Sequence, residues 1–307
     1  MAEKDITEKL LEDYEDVFAD IANVLLFDGK EEIEPDNLIE AGTRSMYKAE
    51  SGKMHQQERD VVKKWIKGNI NIAMIGIENQ TKPEKYMTAR VLGYDGASYR
   101  SQFIKYDEKK NDKKRKKNKN RKSPKTGIAP VLTFVLYYGK EHWNYKTNLK
   151  GELKIPDALD KYVNDYKINV FEISYLTEEQ ISRFKSDFKI VANFFVQRRI
   201  DPNYVPNDPT EFKHVDAVLK LLSVMSGDDR YYEIEGKKEV KNMCEVADRL
   251  EKRGIEKGLE QGLKQGEDRL GRLIVLLTKA GRADDVIRAS TSKEAREELY
   301  KEFSIYN

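Results

Sequence analysis

Apolar residues recur every three or four positions through Leu10, Leu11, Tyr14, Val17, Phe18, Ile21, Val24 and Leu25, which predicts a helix over residues 5–27, stopped at Asp28-Gly29-Lys30. Residues 43–49 (TRSMYKA) read as a short strand. The segment NINIAMIGIENQ, residues 69–80, is an apolar run bounded by Gly68 before and Thr81-Lys82-Pro83 after, the pattern of a buried strand. It ends on Glu78-Asn79-Gln80. Strand side chains alternate faces, so Glu78 and Gln80 point one way and Asn79 the other.

The segment before it, HQQERDVVKKWIKGN, fits two periods. As a helix, Val61, Val62, Trp65 and Ile66 form an apolar stripe, and Asp60 sits on a separate element. As a strand, Asp60, Val62 and Lys64 share a face. A three-residue loop at Lys67-Gly68-Asn69 then pairs Ile66 with Ile70 and sets Asp60 opposite Gly76. Asp60 is then diagonal to Glu78 on one face, about 7–8 Å apart. A two-residue loop moves Asp60 to the other face. The sequence leaves these alternatives open.

Downstream, residues 87–103 predict a helix that puts Arg90 and Tyr94 one turn apart, with Gly93 and Gly96 weakening it. Strands are expected at 129–138 and 169–176. A helix capped by Thr177 follows, with Ile181, Phe184, Phe188, Val191 and Phe195 on its apolar side. Three prolines near 198–209 mark a shift of composition. Helices are expected at 214–225, from Val240 onward, and as a last pair over 270–279 and 283–303. Gly254, Gly258, Gly262 and Gly266 repeat every fourth residue. Each costs helix stability relative to Ala, which leaves a linker-like helix or a self-associating one.

Charged residues make up 36% of the chain, but the net charge is only +2, so attraction for nucleic acid must come from local patches. The run 109–122, KKNDKKRKKNKNRK, is such a patch and reads as a disordered loop. One cysteine, Cys244, excludes a disulfide framework and a cysteine zinc site. His55, His142 and His214 are too dispersed for a histidine metal site; His142, Trp143 and His214 read as packing or hydrogen-bonding residues. The acidic N-terminal segment lacks the apolar stretch of a signal peptide. No run reaches the length of a membrane span. A cytoplasmic location is expected.

An Asp and a Glu at the end of a buried strand have the hard-oxygen chemistry of a Mg²⁺ site. The order of helix, Asp60, an apolar strand ending Glu78-x-Gln80, then Met87-x-x-Arg90 with Tyr94, resembles the Rpn family of recombination-promoting nucleases in the PD-(D/E)xK superfamily. The resemblance continues through TFVLYYG, YVNDYKINVFEISYL, HVDAVLKLLSVMSGD and the glycine tail. It implies an α/β fold, a restriction-endonuclease-like mixed sheet flanked by helices with an all-helical C-terminal extension. The implied division is a nuclease domain at 1–200, holding the basic loop 107–127, and a helical region at 201–307 with a glycine-every-fourth helix at 250–270.

The implied activity is Mg²⁺-dependent hydrolysis of DNA phosphodiester bonds. Asp60 and Glu78 would be the metal ligands, Gln80 would orient water, and Arg90 with Tyr94 would bind substrate. Glu58 is the alternative first acid. Gln80 stands where many superfamily members have Lys, so it can orient by hydrogen bonds but brings no positive charge. The rival readings are a decayed nuclease kept as a DNA-binding or interaction protein, and a nuclease of the same fold directed at RNA.

Overall fold

A computed structural model describes residues 10–42, 44–48, 54–68, 70–115, 127–234 and 239–305. The helices are α1 (Glu15–Phe27), α2 (Met87–Arg115), α3 (Asp157–Asp160), α4 (Glu178–Arg183), α5 (Phe188–Ile200), α6 (Val215–Ser226), α7 (Met243–Lys279), α8 (Ala283–Thr291) and α9 (Lys293–Glu302). The strands are β1 (Leu38–Glu40), β2 (Arg44–Lys48), β3 (Met54–Glu58), β4 (Val61–Lys67), β5 (Ile70–Gln80), β6 (Val131–Tyr137) and β7 (Asn169–Glu172). Five strands form one mixed sheet in the order β1-β4-β5-β6-β7, and β2 pairs with β3 in a separate two-stranded sheet. β4 runs antiparallel to β5, whereas β5, β6 and β7 are mutually parallel. A parallel neighbour requires a crossover, and α2 lies within the connection from β5 to β6.

Residues 54–67 are two strands, not a helix, with Arg59 and Asp60 at the break between them. The register differs from the three-residue-loop expectation. Lys67 pairs with Ile70 and Ile66 with Asn71, leaving a two-residue connection in which Gly68 takes φ +62°. That loop alone would turn Asp60 to the wrong face. A bulge between Trp65 and Ile66 adds a second step, so Trp65 meets Ala73 and Val61 meets Ile77. Two one-residue shifts restore the face. Asp60, one residue before Val61, is level with Glu78 rather than Gly76.

One sheet face packs on α2, where Met87 and Val91 close over Val135 and Ile168. Paired residues of parallel strands share a face, so the pairings Gly76–Thr133, Glu78–Val135 and Gln80–Tyr137 put Glu78 and Gln80 on the α2 side. Asn79 and Tyr138 face the other way, where the Tyr138 ring packs on Phe195 of α5 at 4.9 Å.

Several elements depart from the periodic reading. The first helix begins at Glu15, preceded by a 3₁₀ turn at Leu11–Asp13, while residues 5–9 lie outside the described part. The helix capped by Thr177 breaks in two. Thr177 and Gln180 form the expected capping box, but Phe184 turns extended. The main-chain N–H groups of Lys185 and Ser186 donate to Asp20 Oδ2 at 2.9 and 2.7 Å, so a distant acid pins the break. α2 continues through Arg115, which makes the start of the basic run helical backbone rather than disordered loop; residues 116–126 lie outside the described part.

The chain divides into two compact units, Met1–Cys244 and Glu245–Asn307. Within the first unit, α6 packs on α5 and on the Leu11–Asp13 turn. In the second unit, Leu273, Leu277, Ala289, Leu299, Tyr300 and Ile305 form a small core between α7, α8 and α9. α7 runs unbroken through the glycine ladder, and beyond the local helix backbone nothing lies within 4 Å of where a Cβ would sit at Gly254, Gly258, Gly262 and Gly266. No helix among the described residues is long and apolar enough to cross a membrane.

Candidate functional site

The tip of β5 gathers the sequence-selected residues. Asp60 Oδ2 accepts the Asn79 main-chain N–H at 2.7 Å, which ties the bend before β4 to the end of β5. Glu78 is 1% exposed, and its Oε2 is buried without a hydrogen-bond partner. Burial, then the charge of Asp60, push its pKa from 4.5 up to about 8, although Arg90 and Arg59 pull against them. Glu78 Oε1 pairs with Arg90 Nη2 and receives Gln80 Nε2 at a long 3.4 Å.

Arg90 forms the outer wall of this group. Its side chain is 33% exposed while that of Glu78 beneath it is 1% exposed, so the guanidinium covers the carboxylate. Arg90 Nη1 also meets Glu84 at 2.9 Å, and Nε donates to the Tyr94 hydroxyl at 2.7 Å. Tyr94 itself is buried. Its hydroxyl, accepting from Nε, holds Arg90 in place. Glu58, the alternative first acid, pairs with Arg44 in the small β2–β3 sheet, and its side chain lies outside the described part. Asp60 is the acid coupled to Glu78.

Three neighbours escaped the sequence reading. Glu12, on the 3₁₀ turn before α1, is fully buried. Its Oε2 has no partner, and Tyr138 Oη donates to Oε1 at 3.4 Å. Burial first, with Asp60 among the further causes, raises it from 4.5 to about 7. Asp60 is therefore the charge felt on both faces of the sheet, by Glu78 on one and Glu12 on the other. Lys63 is buried on β4, donating to the Asp13 carbonyl at 2.7 Å and to Glu15 at 3.0 Å, which anchors the turn that carries Glu12.

Arg59 is the third. It is 2% exposed and extends under Gly76. Its Nη1 donates to Thr133 Oγ1 at 3.0 Å and reaches Asp95 at 3.5 Å, and its Nη2 bonds Ser98. Asp95 in turn accepts from Thr133 at 2.5 Å and from the Tyr166 hydroxyl. A charged network thus holds the residue next to Asp60. The only sequence signals were polar residues (Glu12, Arg59, Lys63) inside or beside apolar stretches.

Elsewhere, His214 stacks on Tyr14 at 3.7 Å with Nε2 3.1 Å from Asp16, and His142 stacks on Tyr175 at 3.8 Å beside Glu172. Both play packing and hydrogen-bonding roles.

Among the described residues, no group of three or more His, Cys, Asp or Glu is arranged to hold a metal. The donor set at the tip of β5 is smaller: two carboxylates, one with an unpartnered buried oxygen. That fits a hard cation such as Mg²⁺, which binds through one or two carboxylates and completes its shell with water and phosphate oxygens. Acids raised first by burial, and further by the charge of Asp60, would be eased by the positive charge such an ion supplies.

No curated protein and no solved structure matches the chain. A family model does match, described as "Putative transposase, YhgA-like", over residues 64–208. The matched stretch begins just after Asp60 and takes in Glu78, Gln80, Arg90 and Tyr94. Residues 64–208 are thus similar to the YhgA-like putative transposase family.

Proposed function

We propose that this protein is a divalent-metal-dependent endonuclease that hydrolyses DNA phosphodiester bonds, in the service of recombination or of action on mobile or foreign DNA. The observation that carries the reading is the pairing of Asp60 with the tip of β5, which couples it to a buried Glu78 whose Oε2 is unpartnered. The match of residues 64–208 to the YhgA-like putative transposase model supports it. So does the order of elements: a first helix, an antiparallel β4–β5 hairpin ending in the acid, then a crossover helix to parallel β6. That is the arrangement expected of a restriction-endonuclease-like core.

Asp60 and Glu78 would hold Mg²⁺, which supplies a Lewis acid at phosphorus and lowers the pKa of bound water. Gln80, beside Glu78 on the same face, orients the attacking water through its amide. Arg90 has the planar fork of donors that matches a phosphate. With the Tyr94 hydroxyl holding Nε, the two Nη groups are the ones that leave Glu78 and Glu84 for a phosphate. This exchange uncovers Glu78 as the substrate's charge arrives, so opening and binding are one movement. The test is nicking of supercoiled plasmid with Mg²⁺ and with EDTA, by wild type and by Glu78→Gln. Metal-dependent nicking lost in the variant supports the reading. Binding without cutting favours a DNA-binding protein, and cutting of RNA alone redirects the substrate.

A further inference from the structure

A cavity of about 310 Å³ opens where the parallel strands β5 and β6 end, walled by α5 and by the last turn of α6. Four cations line it, Lys82, Lys140, Arg198 and Arg199, and no Asp or Glu does. This contrasts with the cavity beside α1, where Arg183, Lys185 and Lys213 are interleaved with Asp16, Asp20, Glu31 and Glu34. There the charges are satisfied by ion pairs; Arg183 meets Asp28 and Lys185 meets Glu31.

The cations of the first cavity are held ready. Arg199 donates Nε to the Ser174 carbonyl at 2.8 Å and lies 4.3 Å from the Tyr175 ring centre, which fixes its guanidinium. Arg198 lies 3.7 Å from Asp228, but that carboxylate is bound more closely by Arg230 at 2.8 Å, so it offsets Arg198 only in part. Lys82 and Lys140 are exposed. The C-terminal end of α6 adds about half a negative charge at the rim, against four full positive ones. Gly227 closes that helix in the left-handed conformation, and its N–H and that of Asp228 both bond the Ser223 carbonyl.

The cavity is also linked to the tip of β5. Lys82 lies two residues beyond Gln80. The Gln80 carbonyl accepts the Tyr138 N–H at 2.8 Å, and Tyr138 both lines the cavity and donates its hydroxyl to Glu12. Ligands of open α/β sheets bind outside the carboxyl ends of the parallel strands.

We propose that this cavity, at the carboxyl ends of β5 and β6 on the α5 side of the sheet, is a phosphate-binding subsite for the nucleic-acid strand. It rests on the nuclease reading for its substrate but not for its test. Two arginines and two lysines around an acid-free recess suit a phosphate oxygen cluster by charge and by fork geometry. The phosphate is either an internal diester or a terminal monoester.

The test measures binding of a fluorescent duplex oligonucleotide by anisotropy in EDTA, over a salt series. Wild type is compared with Lys82→Ala/Lys140→Ala and with a control pair at other exposed lysines, Lys154→Ala/Lys189→Ala. Each lost phosphate contact removes about 0.9 from the slope of log affinity against log salt. The double variant is expected to lose between about one and two from that slope, with affinity down at least about tenfold at low salt, and the control far less. Equal loss with 5′-phosphate and 5′-hydroxyl strands identifies an internal diester. Loss only with the 5′-phosphate strand, competed by inorganic phosphate, identifies a terminal group. An unchanged slope, or one matched by the control pair, overturns the subsite. Because no cutting is required, a protein that shows the slope change but never nicks DNA keeps the subsite and loses the nuclease reading.

Discussion

Asp60 Oδ2 accepts the main-chain N–H of Asn79 at 2.7 Å, so the first acid is fastened to the strand that carries the second. The bond serves structure and chemistry together, and two substitutions separate them. Asp60→Asn keeps an acceptor at that position and loses the charge. Asp60→Ala loses both. We expect the Asn variant to melt near wild type and the Ala variant to lose about 1 kcal/mol, while both lose Mg²⁺ binding measured by calorimetry. Full Mg²⁺ binding by Asp60→Asn would show that the carboxylate is not a ligand.

The two buried glutamates give the metal-free protein a characteristic pH profile. Glu78 is raised to about 8 and Glu12 to about 7, both first by burial and both from 4.5. Folding favours their protonated forms, so the stability they contribute is fully present below pH 4.5 and is lost as pH rises through 7 to 8. The melting temperature in EDTA should therefore fall between pH 6 and 9. Glu12→Gln should flatten that fall and melt higher at pH 8, by roughly 2–4 °C if about 1 kcal/mol is recovered. Added Mg²⁺ should stabilise wild type at pH 8 and leave Glu78→Gln unchanged. A melting curve in EDTA that is flat or rises over this range would contradict the raised acids.

Gly76 is where the charged network beneath the sheet comes closest to the backbone. A Cβ there would sit 3.0 Å from Thr133 Oγ1 and 3.1 Å from Arg59 Cδ and Nη1. Both neighbours are buried and bonded, so neither gives way without loss. Gly76→Ala should cost about 1–3 kcal/mol by denaturant unfolding. Neutral behaviour would mean that Arg59 is not held as described.

Lys63 holds the turn that carries Glu12. Lys63→Met keeps the buried stem but removes the donor to Asp13 and Glu15. Amide exchange at residues 10–15 should become faster by about tenfold or more, the effect of about 1.4 kcal/mol of local stability. Exchange confined to its wild-type rate would assign the anchoring of this turn to other contacts.

Much of this fold was legible because its strands are long and apolar. NINIAMIGIENQ could be placed as the central strand from composition alone, and Thr177 as a helix cap from the Gln three residues later. The position of Asp60 was not, because it depended on a bulge at Trp65–Ile66 that periodicity does not encode. The break between α4 and α5 was invisible for a similar reason: its partner, Asp20, is more than 160 residues away. Glu12 and Lys63 read as ordinary charged positions, and only tertiary burial sets them apart. Tyr94 was found by its spacing from Arg90, one helical turn away, and that spacing is what lets its hydroxyl meet Nε.

We propose that Asp60 and Glu78 together make a metal-dependent phosphodiester-cleaving centre. The most direct measurement is conversion of supercoiled plasmid to nicked circle by purified wild type, Asp60→Asn and Glu78→Gln, each with Mg²⁺ and with EDTA. Wild type should nick with Mg²⁺ and not in EDTA, and both variants should lose at least about a hundredfold, the scale of a lost charge-stabilising group. Nicking that survives EDTA, or that either variant retains at the wild-type rate, would contradict it.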